Sequence, residues 1–212
     1  TQYGNPLMQD QMTVADWGKE ALALSFAGRL KGDLYRVLAA YDDTMVTITT
    51  TNGIIVTNLA AGTACETNLD GPVTFQANQP IQVAQFANGT TFDNPLNTEG
   101  DPCEILLSPT GHYLQTNVVF SLNEPDAYGN PNLLDEHYLN LIIPQSAVTN
   151  TLVDGLIIDS TNFVPIGTSG YYGAQISVES GSHTVTSSEP IGVEVYGWGF
   201  EDSYSYFGGI VK

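Results

Sequence analysis

Basic residues are scarce: five Lys and Arg face 23 Asp and Glu, for a formal net charge of −18. Without a cationic stripe to displace counterions from phosphates, nucleic acid is excluded as a partner. Anionic membrane surfaces are disfavoured for the same reason. Cysteine is nearly absent, and Cys65 and Cys103 are too few for a structural zinc site. They form either one disulfide in an oxidising compartment or two thiols in a reducing one. The extracellular cast of the rest of the chain favours the disulfide. His112, His137 and His183 are scattered, with no pair at metal-ligand spacing. No apolar run approaches the ~18 residues of a membrane-spanning segment, so membrane insertion is not expected. There is no initiator Met and no signal-peptide pattern, which reads as a mature or excised piece of something larger.

Catalytic fingerprints are missing too. "GTSG" (167–170) lacks the spacing of a nucleophile elbow, and "GWGFED" (197–202) stops short of a dinucleotide fingerprint. A hydrolase built on a carboxylate pair is the enzymatic alternative. However, a chain with 23 acids always offers some pair, so that signal has no specificity. The expectation is a protein that is not an enzyme.

What is present is alternation. "YRVLAAY" (35–41), "TMVTITTT" (44–51), "GIIVTNLA" (53–60), "IQVAQFA" (81–87) and "YLNLIIP" (138–144) are short, β-branched and bounded by turn formers. Asn52-Gly53 and Asp154-Gly155 are hairpin signals because both residue types tolerate positive φ. "TVADWGKEALALSFAG" (13–28) opens like a helix, with Asp16 three residues after Thr13. Leu22, Leu24 and Phe26 alternate, however, and residues 20–26 are read as a strand.

The chain also repeats itself. "GPVTFQANQPIQVAQFANG" (71–89) aligns without gaps on "GSHTVTSSEPIGVEVYGWG" (181–199). Gly71/Gly181, Thr74/Thr184, Pro80/Pro190, Ile81/Ile191, Val83/Val193 and Gly89/Gly199 are identical. Upstream, segments starting at Tyr35 and Tyr138 follow the same logic more faintly. The expected fold is all-β: two related β-sandwich-like, jelly-roll-type modules from an internal duplication, packed together. The division expected is a linker over 1–15, a first module over 16–110 and a second over 111–212.

"WGKE" (17–20), "GDLYRVLAAYDDTMVTI" (32–48), the 71–89 repeat, "GDPCEILLSP" (100–109) and the stretch from Pro165 to Gly209 together resemble one known family. It is the N-terminal domain of the mucin-like IgGFc-binding protein, which recurs in bacterial extracellular proteins. The resemblance implies an extracellular or cell-surface binding domain, such as a surface adhesin or fibre tip that recognises a glycan or protein on another cell. The competing expectation is a structural or oligomerisation domain of a larger extracellular fibre. For a self-associating chain, a homotrimer on a fibre stalk is the expected form.

Candidate contact residues follow from the aromatic strip and the loops. Six aromatic rings fall between Pro190 and Gly209. Alternation sends Ile191, Val193 and Val195 to one face of a strand, and Glu194, Tyr196, Trp198 and Phe200 to the other. Such a strip is either the seam between two packed layers or a platform for sugars and partner proteins; the seam is the better-supported reading. Trp198, Tyr204 and Tyr206, with the loop aromatics Phe92 and Tyr128, are the ligand-contact candidates. No cofactor is required, and calcium is the ion the sequence admits. Asp126, Asn130, Asn132, Asp135 and Glu136 place oxygen donors at spacings calcium can use, without the EF-hand pattern. Asn88-Gly89-Thr90 is a glycosylation acceptor pattern.

Overall fold

The computed structural model describes residues 7–89, 91–92, 100–122 and 134–210. Their fifteen strands fall into two sets that follow the chain. The first comprises β1 (Gly18–Ala23), β2 (Asp33–Ala39), β3 (Thr44–Thr50), β4 (Gly53–Leu59), β5 (Ala64–Leu69), β6 (Val73–Phe86) and β7 (Glu104–Leu107). The second comprises β8 (Leu114–Ser121), β9 (Leu134–Pro144), β10 (Leu152–Val153), β11 (Leu156–Ile157), β12 (Val164–Pro165), β13 (Tyr171–Val178), β14 (Gly181–Gly199) and β15 (Asp202–Phe207).

Each set is organised around one long antiparallel hub. The first part of β6 lies between β1 and β3, and its second part between β2 and β7. Strand β14 repeats this plan, flanked first by β8 and β10 and then by β9 and β15. Strand β4 continues outward from β3 and β5 from β2, as β11 does from β10 and β13 from β9. The two halves are therefore topological copies: two curled antiparallel sheets forming packed, sandwich-like modules. Register makes the equivalence residue by residue. Val83 faces Val37 on β2, and its repeat mate Val193 faces Leu141 on β9. The same register makes Leu139, not Tyr138, the positional equivalent of Tyr35, so the faint upstream match slips by one residue. A slip of one exchanges the faces of a strand, which is why Tyr35 is fully buried and Tyr138 is not.

Both hubs run through a proline. Residues 78–80 lie between the last β3 partner, Ala77, and the first β2 partner, Ile81. The β14 ladder is likewise interrupted between Thr186 and Ile191. Pro80 and Pro190 thus sit where the strand leaves one layer for the other, a place where a missing N–H breaks no ladder bond. Side-chain bonds fill part of the gap: Met45 N–H donates to Asn78 Oδ1 at 2.8 Å, and Asn78 Nδ2 donates to Asp43 O at 3.1 Å.

Inward-facing residues build one core per module. Val37, Val46, Ile48, Phe75, Val83 and Ile105 pack in the first, and Leu139, Leu141, Val185, Ile191, Val193 and Val195 in the second. Leu22, Leu24, Tyr113, Ile142 and Ile166 form a third cluster where the modules meet. The helix-like opening yields only one 3-10 turn, Val14–Asp16, with Thr13 Oγ1 donating to Asp16 Oδ2 at 2.7 Å. Strand β1 follows but ends at Ala23, so residues 24–26 leave the sheet.

The expected disulfide is not formed; both cysteines are free. Cys65 on edge strand β5 lies in the row Cys65–Val37–Val83. Cys103 precedes β7 on the far side of β6, its carbonyl accepting from Ala87 N–H. Three strand spacings of about 4.8 Å separate them, beyond the ~7 Å reach of a disulfide between Cα atoms.

Candidate functional site

The aromatic strip lies in the seam. Ile191, Val193 and Val195 enter the second module's own core, while Tyr196 and Trp198 join the core of the first. Trp198 is 3% exposed. Phe26 meets Tyr196 and Trp198 edge-on, with ring centroids 4.8 and 5.6 Å apart, and Tyr138 stacks on Tyr196. The Arg29 guanidinium sits 4.5 Å from the Trp198 ring centroid, a cation–π contact. Phe200, beyond the seam, is exposed.

What these rings grip is the irregular segment from Leu24 to Ala27. Trp198 Nε1 donates to Ala27 O at 3.0 Å, and Ala27 N–H donates to the Tyr196 hydroxyl at 2.9 Å. That hydroxyl donates on to Asn140 Oδ1 at 2.8 Å, and Asn140 Nδ2 donates to Glu194 Oε2 at 2.9 Å. Gln175 Nε2 donates to Ser25 O at 2.6 Å. From the first module, Gln85 Nε2 donates to Leu24 O and to Asp33 Oδ2, which also accepts from Phe26 N–H. A segment that has left its sheet must satisfy its backbone polar groups elsewhere, and here side chains of both modules do so.

Two carboxyls are enclosed in this network. Burial pushes Asp33 up to about 7, against the lowering bonds from Phe26 N–H and Gln85. Burial pushes Glu194 up to about 8, with the Asn140 amide lowering it and nearby Asp33 raising it. Asp33, Gln85, Asn140 and Glu194 were not among the sequence candidates. Their one legible signal was Glu194, a lone acid on the aromatic face of β14.

The remaining candidates are dispersed. The Tyr204 hydroxyl lies 3.0 Å from His137 Nδ1, and Tyr204 is buried. Tyr206, half-buried, accepts from Phe120 N–H at 2.7 Å and donates to Phe120 O at 2.9 Å. Phe92 is exposed, with Lys31 Nζ 5.5 Å from its ring and bonded to its carbonyl at 2.7 Å. Tyr128, Asp126, Asn130 and Asn132 lie outside the described residues. Asp135 and Glu136 are exposed on β9, and Glu136 accepts from the Tyr138 hydroxyl at 3.0 Å. Among the described residues no group of three or more His, Cys, Asp and Glu could hold a metal ion. Asn88 Nδ2 is engaged internally, donating to Gly32 O and Asn68 Oδ1 at 2.8 Å each.

One concave surface accompanies the seam and another lies away from it. A cleft of about 370 Å³ opens beside the gripped segment, walled by Ser25, Gly28, Arg29, Asp70, Asn162 and Gln175. Domain junctions of this kind are favoured ligand positions. A second groove of about 370 Å³ runs beside β4, with Ile54, Ile55, Asn68 and Leu69 on its walls. The β3–β4 hairpin next to it displays apolar side chains, with Met45, Ile54, Ile55 and Val56 all exposed.

No curated protein and no solved structure matches the chain. Among the described residues no helix is long and apolar enough to cross a membrane. Residues 1–197 match the family described as IgGFc binding protein, a match that covers the first module and most of the second and ends within the seam strand β14. The chain belongs to the IgGFc binding protein family.

Proposed function

We propose that the chain is an extracellular binding domain, a surface adhesin or fibre-tip module, that recognises a protein or glycan on another cell. The observation that carries this reading is family membership over both modules, in a family described by what it binds. The physical setting supports it. A rigid double module, locked at its seam by buried rings, holds loops and an apolar hairpin at fixed positions, the arrangement in which loops on a scaffold serve as contact surface. A net charge of −18 keeps such a domain soluble and steers it toward neutral or cationic partners. Multivalent display on a stalk would raise weak single-site affinity through effective concentration.

The exposed β3–β4 hairpin also favours a second reading, assembly with sister copies in a larger fibre. One experiment separates the two. The chain, displayed multivalently, is screened against glycan arrays, whole cells and immunoglobulin Fc fragments, with and without calcium, while its mass in solution is followed by sedimentation. Saturable capture by one of these surfaces supports recognition. Silence on every surface, with concentration-dependent association of folded chain, replaces it with assembly.

A further inference from the structure

Sheets rarely leave a long, apolar edge open, because its unpaired N–H and C=O groups template pairing with another chain. Strand β4 is such an edge. Among the described residues it pairs only with β3, and its outer side is the end of the sheet. Ile54 and Val56 are 67% and 60% exposed on one face, and Ile55 is 43% exposed on the other, so β4 overhangs the core beneath it. The usual guards are missing: from Thr44 to Leu59 there is no Lys, no Pro and no charged residue of either sign.

Two other edges show what guarding looks like. Edge strand β5 is polar, with Glu66 held by Arg36 of β2 at 2.6 Å. In the second module the counterpart hairpin is cut to two-residue strands, β10 and β11. Among the described residues, only the first module keeps a seven-residue bare edge in this position. The groove of about 370 Å³ beside it lies between β4 and β5, with Ile54, Ile55 and Leu69 on its walls. It offers a pocket for the alternate side chains that an added strand would point inward.

We propose that β4 is a strand-addition site that takes an extended, uncharged-to-basic peptide segment of a partner protein alongside Gly53–Leu59. Main-chain bonds to the free edge provide affinity, and apolar side chains seated in the groove provide selectivity. Charge selects the occupant. A second copy would bring a further −18 against the first, whereas a neutral or basic segment is drawn in by the same field. The identification of the partner as a foreign protein rests on the recognition reading above; the bare edge and groove do not.

The test pans a random-peptide display library on the immobilised full chain. The selected peptides carry apolar residues at alternate positions and no net negative charge, and they protect β4 amides from hydrogen exchange. Val56→Lys, at an exposed position, leaves the melting temperature unchanged and weakens those peptides about tenfold or more. Ile54→Lys is a second, independent edge variant, and Val118→Lys, on exposed β8, is the charge control that leaves binding intact. Peptides that bind Val56→Lys and Ile54→Lys as well as the parent overturn the proposal, as does failure to enrich any peptide. A parent chain that dimerises alone, with Val56→Lys monomeric, overturns it in favour of a second copy. If a cell or Fc surface captures the chain and Val56→Lys does not alter that capture, recognition stands and strand addition falls. Edge-dependent peptide binding with silence on all cell and glycan surfaces leaves strand addition standing and removes the adhesin reading.

Discussion

Trp198 makes the case at the scale of single residues. Its indole is enclosed by Phe26, Arg29 and Tyr196, and its N–H holds a backbone carbonyl 171 residues away in sequence. Trp198→Ala should therefore cost about 3–5 kcal/mol in urea unfolding, the range for deleting a buried aromatic; an unchanged midpoint would remove the ring from the seam. The packing is equally close at Gly192, where an added Cβ would lie 2.7 Å from Cζ of Tyr113. Gly192→Ala must push the Tyr113 ring aside, and a lower melting temperature is the expected readout. The cysteines give a chemical check. Titration of denatured, unreduced protein should find two thiols, and in the native state Cys103 should react slowly, because burial pushes its thiol up to about 12. Two free thiols were one of the two readings open from the sequence. Spacing alone could not choose, because the distance between Cys65 and Cys103 is set by how many strands lie between them.

At the scale of elements, alternation located most strands, and the misses have causes. "ACETNL" became β5 without a β-branched run because an edge strand paired on one side needs little packing of its own. The prolines split the alternation into 73–77 and 81–87, and into 183–187 and 191–200, yet each pair is one continuous hub. Pro80 and Pro190 broke the pattern locally, whereas the chain runs straight through the corner between layers. Pro80→Ala should accordingly shift the thermal midpoint little, and Val83→Pro, inside the β2–β6–β7 ladder, should unfold the module. Similar losses from both would place Pro80 in a ladder after all. Among the hairpins, Asp154 and Gly155 do carry the positive φ their turn requires, at 52° and 79°. The first hairpin instead turns at Thr51-Asn52, with Gly53 already paired to Thr50 as the first residue of β4.

For the whole molecule, the seam is also where pH acts. Asp33 and Glu194 are raised from ordinary values of 3.8 and 4.5 to about 7 and about 8 by burial. Between those limits the folded chain holds protons that the unfolded chain has released. The contribution of this pair is therefore fully present below about pH 4 and falls as pH rises toward 8. The other ionisable groups acting on the pair are Arg29 and Asp70 at Asp33, and Asp33 itself at Glu194. Growing net negative charge pushes stability the same way, so the pair is isolated by difference. The double variant Asp33→Asn, Glu194→Gln should have a flatter profile than the parent between pH 4 and 8 in denaturant melts. An equal slope would mean both carboxyls are ionised in the fold without cost.

What the sequence by itself determined was the class, the duplication and the family. A period of two, the Pro-Ile repeat and the long aromatic segment are properties of neighbouring residues, legible without coordinates. The seam reading of the strip was legible as well, since aliphatics and rings had to face opposite ways on one strand. Only the tertiary structure decided what the rings pack against. Their partner is the irregular Leu24–Ala27 segment, and the bonds between its backbone and the Trp198, Tyr196 and Gln175 side chains exist only once the modules meet. Contacts between groups more than a hundred residues apart carry no local pattern. Likewise, the bare edge of β4 looked like any alternating strand until its place at the end of the sheet left Ile54 and Val56 uncovered.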